Sequence, residues 1–384
     1  MTLHRTIEIA KKVLIGATIF LVVIVISILF FRFGVILKNL IFPPKVLLTN
    51  HPYGIIPQIK FPASVAKTPF TYTLNTDTGS LPDVPDRVTV FPIIPPQAGL
   101  LDLDKTRLKA QNLGFVDDNN NVLPEKSSDK INFEWDDAQN LQRKLLINIF
   151  TSNFSLSSDY LTSTAFTITQ GALTIDAAIN TTADFLNKIG FVQTDIDMSK
   201  TSTPTQEVSY FRTPQFFTIQ NGQLVPTNSL ETAHIIRIDL YQKDIDYTLN
   251  TGMPELTGGY KSLKMTTPIL YPNPPYSTMN FWVAQGPESP TVVAANFIHQ
   301  NIDTSNPDAT YSIKTAQEAF TELKNGKAYI ASYYGTATNI AINNIFLAYY
   351  LGTDQEPYLM PIFVFAGDNG FFAYVSAVKN EWVQ

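Results

Sequence analysis

The stretch Val13-Leu-Ile-Gly-Ala-Thr-Ile-Phe-Leu-Val-Val-Ile-Val-Ile-Ser-Ile-Leu-Phe-Phe31 decides how this chain is built. It runs 19 residues without a charge and is polar only at Thr18 and Ser27. At 1.5 Å of rise per residue it reaches about 28 Å, the hydrocarbon thickness of a bilayer. Lys11 and Lys12 precede it, Arg32 follows it, and the apolar pattern continues through Phe33–Leu37 and Leu40–Phe42. Pro43-Pro44 then stops any helix, because proline lacks the donor and restricts the residue before it. The reading is a transmembrane helix over 13–42 behind a short cytoplasmic tail, 1–12. A cleaved signal peptide would have an apolar core of about 7–15 residues and a small-x-small cleavage site. Ser27–Phe33 offers no such site.

Orientation is read from what lies on either side. Arg5, Lys11 and Lys12 flank the span in front, and Arg32, Lys38 and Lys45 behind, so the positive-inside count is balanced. The tail is too short to fold, which leaves every globular residue on the carboxyl side. Residues 1–44 hold five basic residues and one acidic, so the remainder carries 22 against 32, a net of −10. That remainder has no cysteine and is poor in charge, as suits an exported domain. The expected localisation is therefore the cell membrane, crossed once, with the amino end cytoplasmic and the carboxyl domain extracytoplasmic.

Over all 384 residues the chain is 45% hydrophobic and 16% charged, with a net charge of −6 and no cysteine. The length supports several modules with cores of their own. The acidic balance excludes nucleic acid as the main partner. Without cysteine there is no disulfide framework, thiolate metal site or cysteine nucleophile.

Behind the anchor, residues 43–100 are rich in proline (Pro52, Pro57, Pro62, Pro69, Pro82, Pro85, Pro92, Pro95, Pro96) and read as an extended stalk or strap. A weak repeat follows. Leu108–Val116 and Phe185–Val192 each carry a helix end, a glycine and an apolar strand start, and Gly114 and Gly190 stand 76 residues apart. Ile175, Ile179, Thr182, Leu186 and Ile189 fall on one helix face. A third unit opens with the capping box Thr315-Ala-Gln-Glu318 and passes through Gly326 into Lys327–Ile330. Strands are expected at Ile131–Trp135, Leu145–Phe150, Ser209–Thr213, Phe216–Ile219, Ile235–Tyr241, Ile340–Tyr350, Leu359–Ala366 and Phe371–Val378. Turns fall at Asn221-Gly222 and Asp368-Asn-Gly370. Arg143–Phe150 and His234–Tyr241 read as equivalent strands, and Pro361 suggests an edge or entry position. The fold class is α+β: one transmembrane helix followed by repeated modules of helices packed on antiparallel sheets. The modules are placed at 101–175, 176–290 and 291–384.

Candidate chemistry is thin. Asp77-Thr-Gly-Ser80 spells the aspartic-protease motif, but that chemistry needs a second aspartate sharing a proton, and no second Asp-Thr-Gly occurs. It reads as a turn. Asp117-Asp-Asn-Asn-Asn121 resembles the start of a calcium loop, yet Val122 and Ser128 stand where glycine and glutamate belong. The pairs Asp102/Asp104, Asp195/Asp197 and Asp244/Asp246 would share a face on a strand, and their surroundings read as solvated loop or edge. His4, His51, His234 and His299 are isolated in sequence. Tyr333-Tyr334 and Tyr349-Tyr350 read as core, with a sugar- or protein-binding platform as the alternative. Asn153-Phe-Ser155 and Asn180-Thr-Thr182 match glycosylation acceptors. No catalytic, cofactor-binding or metal residue is assigned, no cofactor is expected, and the chain is read as a non-enzyme.

At the carboxyl end, Tyr349-Tyr350, Pro357-Tyr-Leu-Met-Pro361-Ile-Phe-Val-Phe365-Ala-Gly367 and Tyr374-Val-Ser-Ala-Val378 follow in order. This order resembles the last strands of membrane-anchored bacterial envelope proteins built from PepSY-like modules, the YycH/YycI type. The resemblance covers about the last 70 residues and the general layout. It implies repeated extracytoplasmic α+β modules and a non-enzymatic partner of a membrane sensor kinase, with no catalytic residues to carry over.

The expected function is thus protein–protein interaction in the cell envelope, modulating a membrane partner such as a sensor kinase. The partners are the bilayer through 13–42 and another membrane or envelope protein. The alternatives are a cell-wall glycan-binding module and a hydrolase whose site is assembled from distant residues.

Overall fold

The computed structural model describes residues 3–66, 69–167, 173–191, 195–197, 214–274 and 276–384. The strand expected at Ser209–Thr213 and the strand start at Val192 lie outside them. The chain divides into two compact units, Met1–Asn50 with Thr248–Lys264, and His51–Tyr247 with Met265–Gln384.

In the first unit, helix α1 (Leu3–Ile41) contains one apolar stretch, Lys11–Ile41, long and apolar enough to cross a membrane, and none of its most apolar window is buried. The two polar side chains of the uncharged run 13–31 bond back along the helix. Thr18 Oγ1 donates to the Leu14 carbonyl at 2.9 Å, and Ser27 Oγ to Val23 at 2.8 Å. Hydroxyls satisfied this way leave no free donor to desolvate. The other part of the unit is residues 248–264.

The second unit holds the sheets, apart from the portion of one hairpin, Ile245–Pro254 with Tyr260–Thr267, that falls within residues 248–264. Strands β1 (Thr71–Leu74), β2 (Arg87–Thr89) and β3 (Phe91–Pro92) precede helix α2 (Asp102–Asn112). Then come β4 (Glu125–Lys126), β5 (Asn132–Asp137), β6 (Arg143–Asn148), β7 (Phe154–Ser157), a single turn α3 (Thr164–Thr167) and helix α4 (Ile175–Lys188). Next are β8 (Ile196–Asp197), β9 (Gln215–Gln220), β10 (Gln223–Thr227) and β11 (Ile235–Gln242). The hairpin β12 (Ile245–Pro254) and β13 (Tyr260–Thr267) leads to β14 (Ile269–Leu270), β15 (Met279–Gln285) and β16 (Pro290–Phe297). The chain ends with β17 (Thr310–Ser312), helix α5 (Ala316–Lys324), β18 (Tyr329–Ser332), β19 (Asn339–Tyr350), β20 (Tyr358–Gly367) and β21 (Phe371–Ser376). The architecture is α+β with several largely antiparallel sheets.

Three helix ends share one geometry. Gly114, Gly190 and Gly326 have φ of 80°, 71° and 70°. At each, the glycine N–H reaches the carbonyl three residues back (Gln111, Asn187, Leu323), and the next N–H reaches one five back (Ala110, Leu186, Glu322), all at 2.9–3.0 Å. That is the Schellman closure, which needs a left-handed residue and so selects glycine. At the other end of α5, Thr315 Oγ1 accepts from the Glu318 N–H at 3.2 Å while Glu318 accepts from the Thr315 N–H at 2.7 Å. The capping box thus fixes both donors.

Strands within residues 125–157 and 196–297 form one ten-stranded sheet of order β10-β9-β11-β15-β16-β7-β6-β5-β4, with β8 on β11. Its joint is the antiparallel pairing of β7 with β16, where Phe154 faces Phe297 in register and their rings stack at 5.0 Å. Helix α4 packs over β11, β15 and β16. Counted from the joint, β6 and β15 are second in line and β5 and β11 third. Arg143–Phe150, expected to be equivalent to His234–Tyr241, carries β6, two strands from the joint, and His234–Tyr241 carries β11, three strands from it.

The third module is a sheet of order β1-β19-β20-β21-β18. Strand β20 is buried over eight successive residues because both faces are covered. Phe363 and Phe365 pack with Ala319, Phe320 and Leu323 of α5, while Met360, Ile362 and Val364 pack with Ile56 and Ile59. Alternate residues of a strand face opposite sides, so a continuous apolar run reports two covers. The proline-rich stretch supplies the second cover through Ile56 and Ile59, with Tyr53 and Phe61 beside them, and it also pairs in the plane of the sheets, β1 parallel with β19, β2 with β17 and β3 with β20. Pro361 is in a central strand rather than at an edge. It faces Tyr349, whose N–H goes to Pro268 instead at 2.8 Å, and pairing with β21 begins only at Ile362.

Candidate functional site

The joint between the first two modules forms a cleft of about 520 Å³. Its floor is apolar: Phe115, Leu156 and Val292 are buried. Its rim is polar and exposed at Asn112, Asp184 and Lys188. Strand β7 covers β16 only at Ala295–Phe297, whereas β15 pairs with β16 down to Pro290. Past Ala295 the Val293 carbonyl accepts from Ser158 Oγ at 2.6 Å, and Pro290–Val292, which β7 does not pair with, line the cleft.

Two contacts hold the walls. Asn112 Nδ2 donates to the Lys188 carbonyl at 3.0 Å, which ties the end of α2 to the end of α4. The Arg143 guanidinium bonds Asp137 Oδ2 at 2.7 Å, the Gly114 carbonyl at 2.9 Å and the Leu113 carbonyl at 3.2 Å, and lies 4.6 Å from the Phe115 ring centroid. Arginine's planar fork can serve several acceptors at once, so β6 is bound to the Schellman turn of α2. The rim presents one carboxylate and one ammonium, Asp184 and Lys188, a turn apart on α4.

A second polar cluster joins residues distant in sequence. His299 Nε2 lies 2.9 Å from Asp195 Oδ2, and Gln242 Nε2 donates to the same oxygen at 2.8 Å. Burial works against the Asp195 charge, but the bonds from His299 and Gln242 and the imidazole's charge outweigh it, so its pKa is lowered. An imidazole held by a carboxylate is the orienting half of a nucleophile–base relay. Here the ring is buried against Phe191 and Phe297, at 5.4 Å and 6.3 Å between centroids, and makes only that side-chain hydrogen bond among the described residues. His299 lines the wall of a cleft of about 320 Å³.

The other sequence candidates separate. Asp77 is in an exposed turn closed by the Gly79 N–H on Thr76 at 2.8 Å. Asp117 folds onto its own loop, with Oδ1 accepting from the Asn119 and Asn121 N–H groups; those bonds, led by Asn121, lower its pKa. Asp102 and Asp104 stand in the first turn of α2, not on a strand, and pair with Lys105 and Arg107. Asp195 is not a solvated loop carboxylate, since it bonds His299 and Gln242, while Asp197 belongs to β8. Asp246 accepts from Thr266 at 2.5 Å. Among the described residues no three His, Asp or Glu side chains come together as a metal site.

His234 is a satisfied core residue, with Nδ1 accepting from the Ile219 N–H and Nε2 bonded to the Thr167 carbonyl, both at 3.0 Å. His51 stacks on Trp382 at 3.5 Å. Tyr349 and Tyr350 are buried, and Tyr349 donates to the Thr89 carbonyl at 2.7 Å; Tyr334 is exposed. Asn153 spends its Oδ1 on the His299 N–H at 3.0 Å, whereas Asn180 is exposed on α4.

No family model matches the chain, and no curated protein matches it. Two solved structures are similar to it. One is the Bacillus megaterium YpeB C-terminal domain, at 10% identity and a TM-score of 0.28, over 74% of this chain and 99% of that one. The other is an uncharacterized protein from Eubacterium rectale ATCC 33656, at 11% identity and a TM-score of 0.35, over 77% and 84% of the two chains.

Proposed function

We propose that this is a membrane-anchored envelope protein of PepSY-like modules, of the YycH/YycI type, that acts by binding another membrane or envelope protein. The amino end is cytoplasmic and the modules are extracytoplasmic. The observation that carries the reading is the cleft beside the β7–β16 joint, where Pro290–Val292 of β16, unpaired with β7, lie beside an apolar floor and a charged rim. An extended segment can add to such a stretch by main-chain hydrogen bonds, with side chains in the cleft supplying selectivity. A sensor kinase is one membrane protein such a module can modulate.

The test is in-cell crosslinking followed by purification of the tagged full-length chain. Recovery of one dominant membrane protein supports the reading. Recovery of wall polymer alone replaces it with glycan binding, and recovery of neither contradicts it.

A further inference from the structure

Helix α1 and residues 248–264 of the β12–β13 hairpin are packed together in one compact unit. Their contacts run in order along the helix and past its end. The Leu47 N–H donates to the Gly252 carbonyl at 2.9 Å, and Asn39 Nδ2 to the Leu256 carbonyl at 3.0 Å. Gly258 is close enough that a Cβ there would sit 3.7 Å from Val35 Cγ1. Thr257 shares a small cleft with Ser27, Ile28, Phe31, Arg32 and Val35. The hairpin thus descends antiparallel to the chain leaving α1, and its turn reaches the level of Ile28–Val35.

That level is the carboxyl end of the uncharged run, where a bilayer's hydrocarbon gives way to head groups. Near that level Leu256 is 57% exposed beside the exposed Glu255; Met253 (52%), Tyr260 (40%) and Leu263 (39%), with the exposed Lys261 and Lys264, follow up the two strands toward the level of Leu47, where Gly252 and Thr251 lie. Apolar side chains with an aromatic and lysines alongside suit the boundary between acyl chains and phosphates.

We infer that the 253–264 turn is a second membrane contact, with its apolar side chains seated in the lipid interface beside the helix and its lysines toward the phosphates. The inference rests on α1 spanning the bilayer, and the test separates the two. Because the chain has no cysteine, Leu256→Cys and Phe20→Cys each give a single labelling site in the full chain. Each is labelled with an environment-sensitive dye and reconstituted in nanodiscs containing nitroxide-labelled lipid.

The expected result is quenching of both labels by the lipid nitroxide, with iodide quenching at Leu256 at least about fivefold weaker than for free dye, as interfacial burial requires. Lipid quenching at Phe20 with full iodide access at Leu256 overturns the inference and leaves the anchor standing. Iodide protection at Leu256 without lipid quenching means a second copy covers the turn, and overturns it as well. Quenching at neither site removes the anchor reading and this inference with it.

Discussion

Asn112 donates its side-chain amide to the backbone carbonyl of Lys188, and the two residues hold the same place in successive units, each two positions before its Schellman glycine. The end of α2 thus meets the end of α4, while β7 pairs with β16. The cleft is a product of that meeting, so the residues that fix the joint also fix the proposed binding site.

The closing glycines are testable one at a time. Gly190 has φ of 71° with open space where a Cβ would point, so substitution there adds backbone strain without a clash. Gly190→Ala is expected to lower stability by about 1–2 kcal/mol, and Gly190→Asn by less, because asparagine tolerates the left-handed region. Urea unfolding of the three proteins checks the order.

Arg143 is expected to matter more. Its removal leaves Asp137 nearly buried without its cation and frees two carbonyls of the α2 turn. Arg143→Ala should cost about 3 kcal/mol, and Arg143→Lys less, since lysine keeps the charge but not the fork. The same unfolding measurement decides it.

Much of this frame was legible beforehand, for local reasons. Capping boxes, Schellman glycines and turns such as Asn221-Gly222, with φ of 51° and 73°, are set within a few residues, so their chemistry shows in the sequence. The joint was not legible, because pairing of β7 with β16 links positions some 140 residues apart with no pattern to announce it. The meeting of Asp195 with His299, 104 residues on, is equally non-local. Asp102 and Asp104 misled because spacing of two means one face only on a strand, and Asp102–Asn112 is helical with its acids at the positive end of the dipole. The double cover of β20 was written in its unbroken apolar run, but the identity of the second cover was not.

Asp195 gives a pH signature. Its pKa is lowered in the folded chain, so its charge contributes stability that is present above the ordinary carboxylate range and is lost as pH falls through the lowered value. His299→Phe removes the imidazole bond and leaves burial to push the carboxyl upward. Carboxyl-carbon NMR titration should show Asp195 below 3.8 in the parent chain and higher in the variant. Equal values in both would show that His299 does not hold the charge.

Orientation can be read in intact cells. Asn119 is exposed in its loop, and the chain has no competing thiol. Asn119→Cys should react with a membrane-impermeant maleimide before lysis. Labelling only after lysis would place the modules in the cytoplasm.

The most direct measurement places a photo-crosslinking amino acid at position 184, on the cleft rim, and in a second full-length chain at position 119, in the exposed loop. Irradiation of cells should join one membrane or envelope protein to position 184 and leave position 119 without that product. The same products from both positions, or none from 184, would contradict a binding role for the module joint.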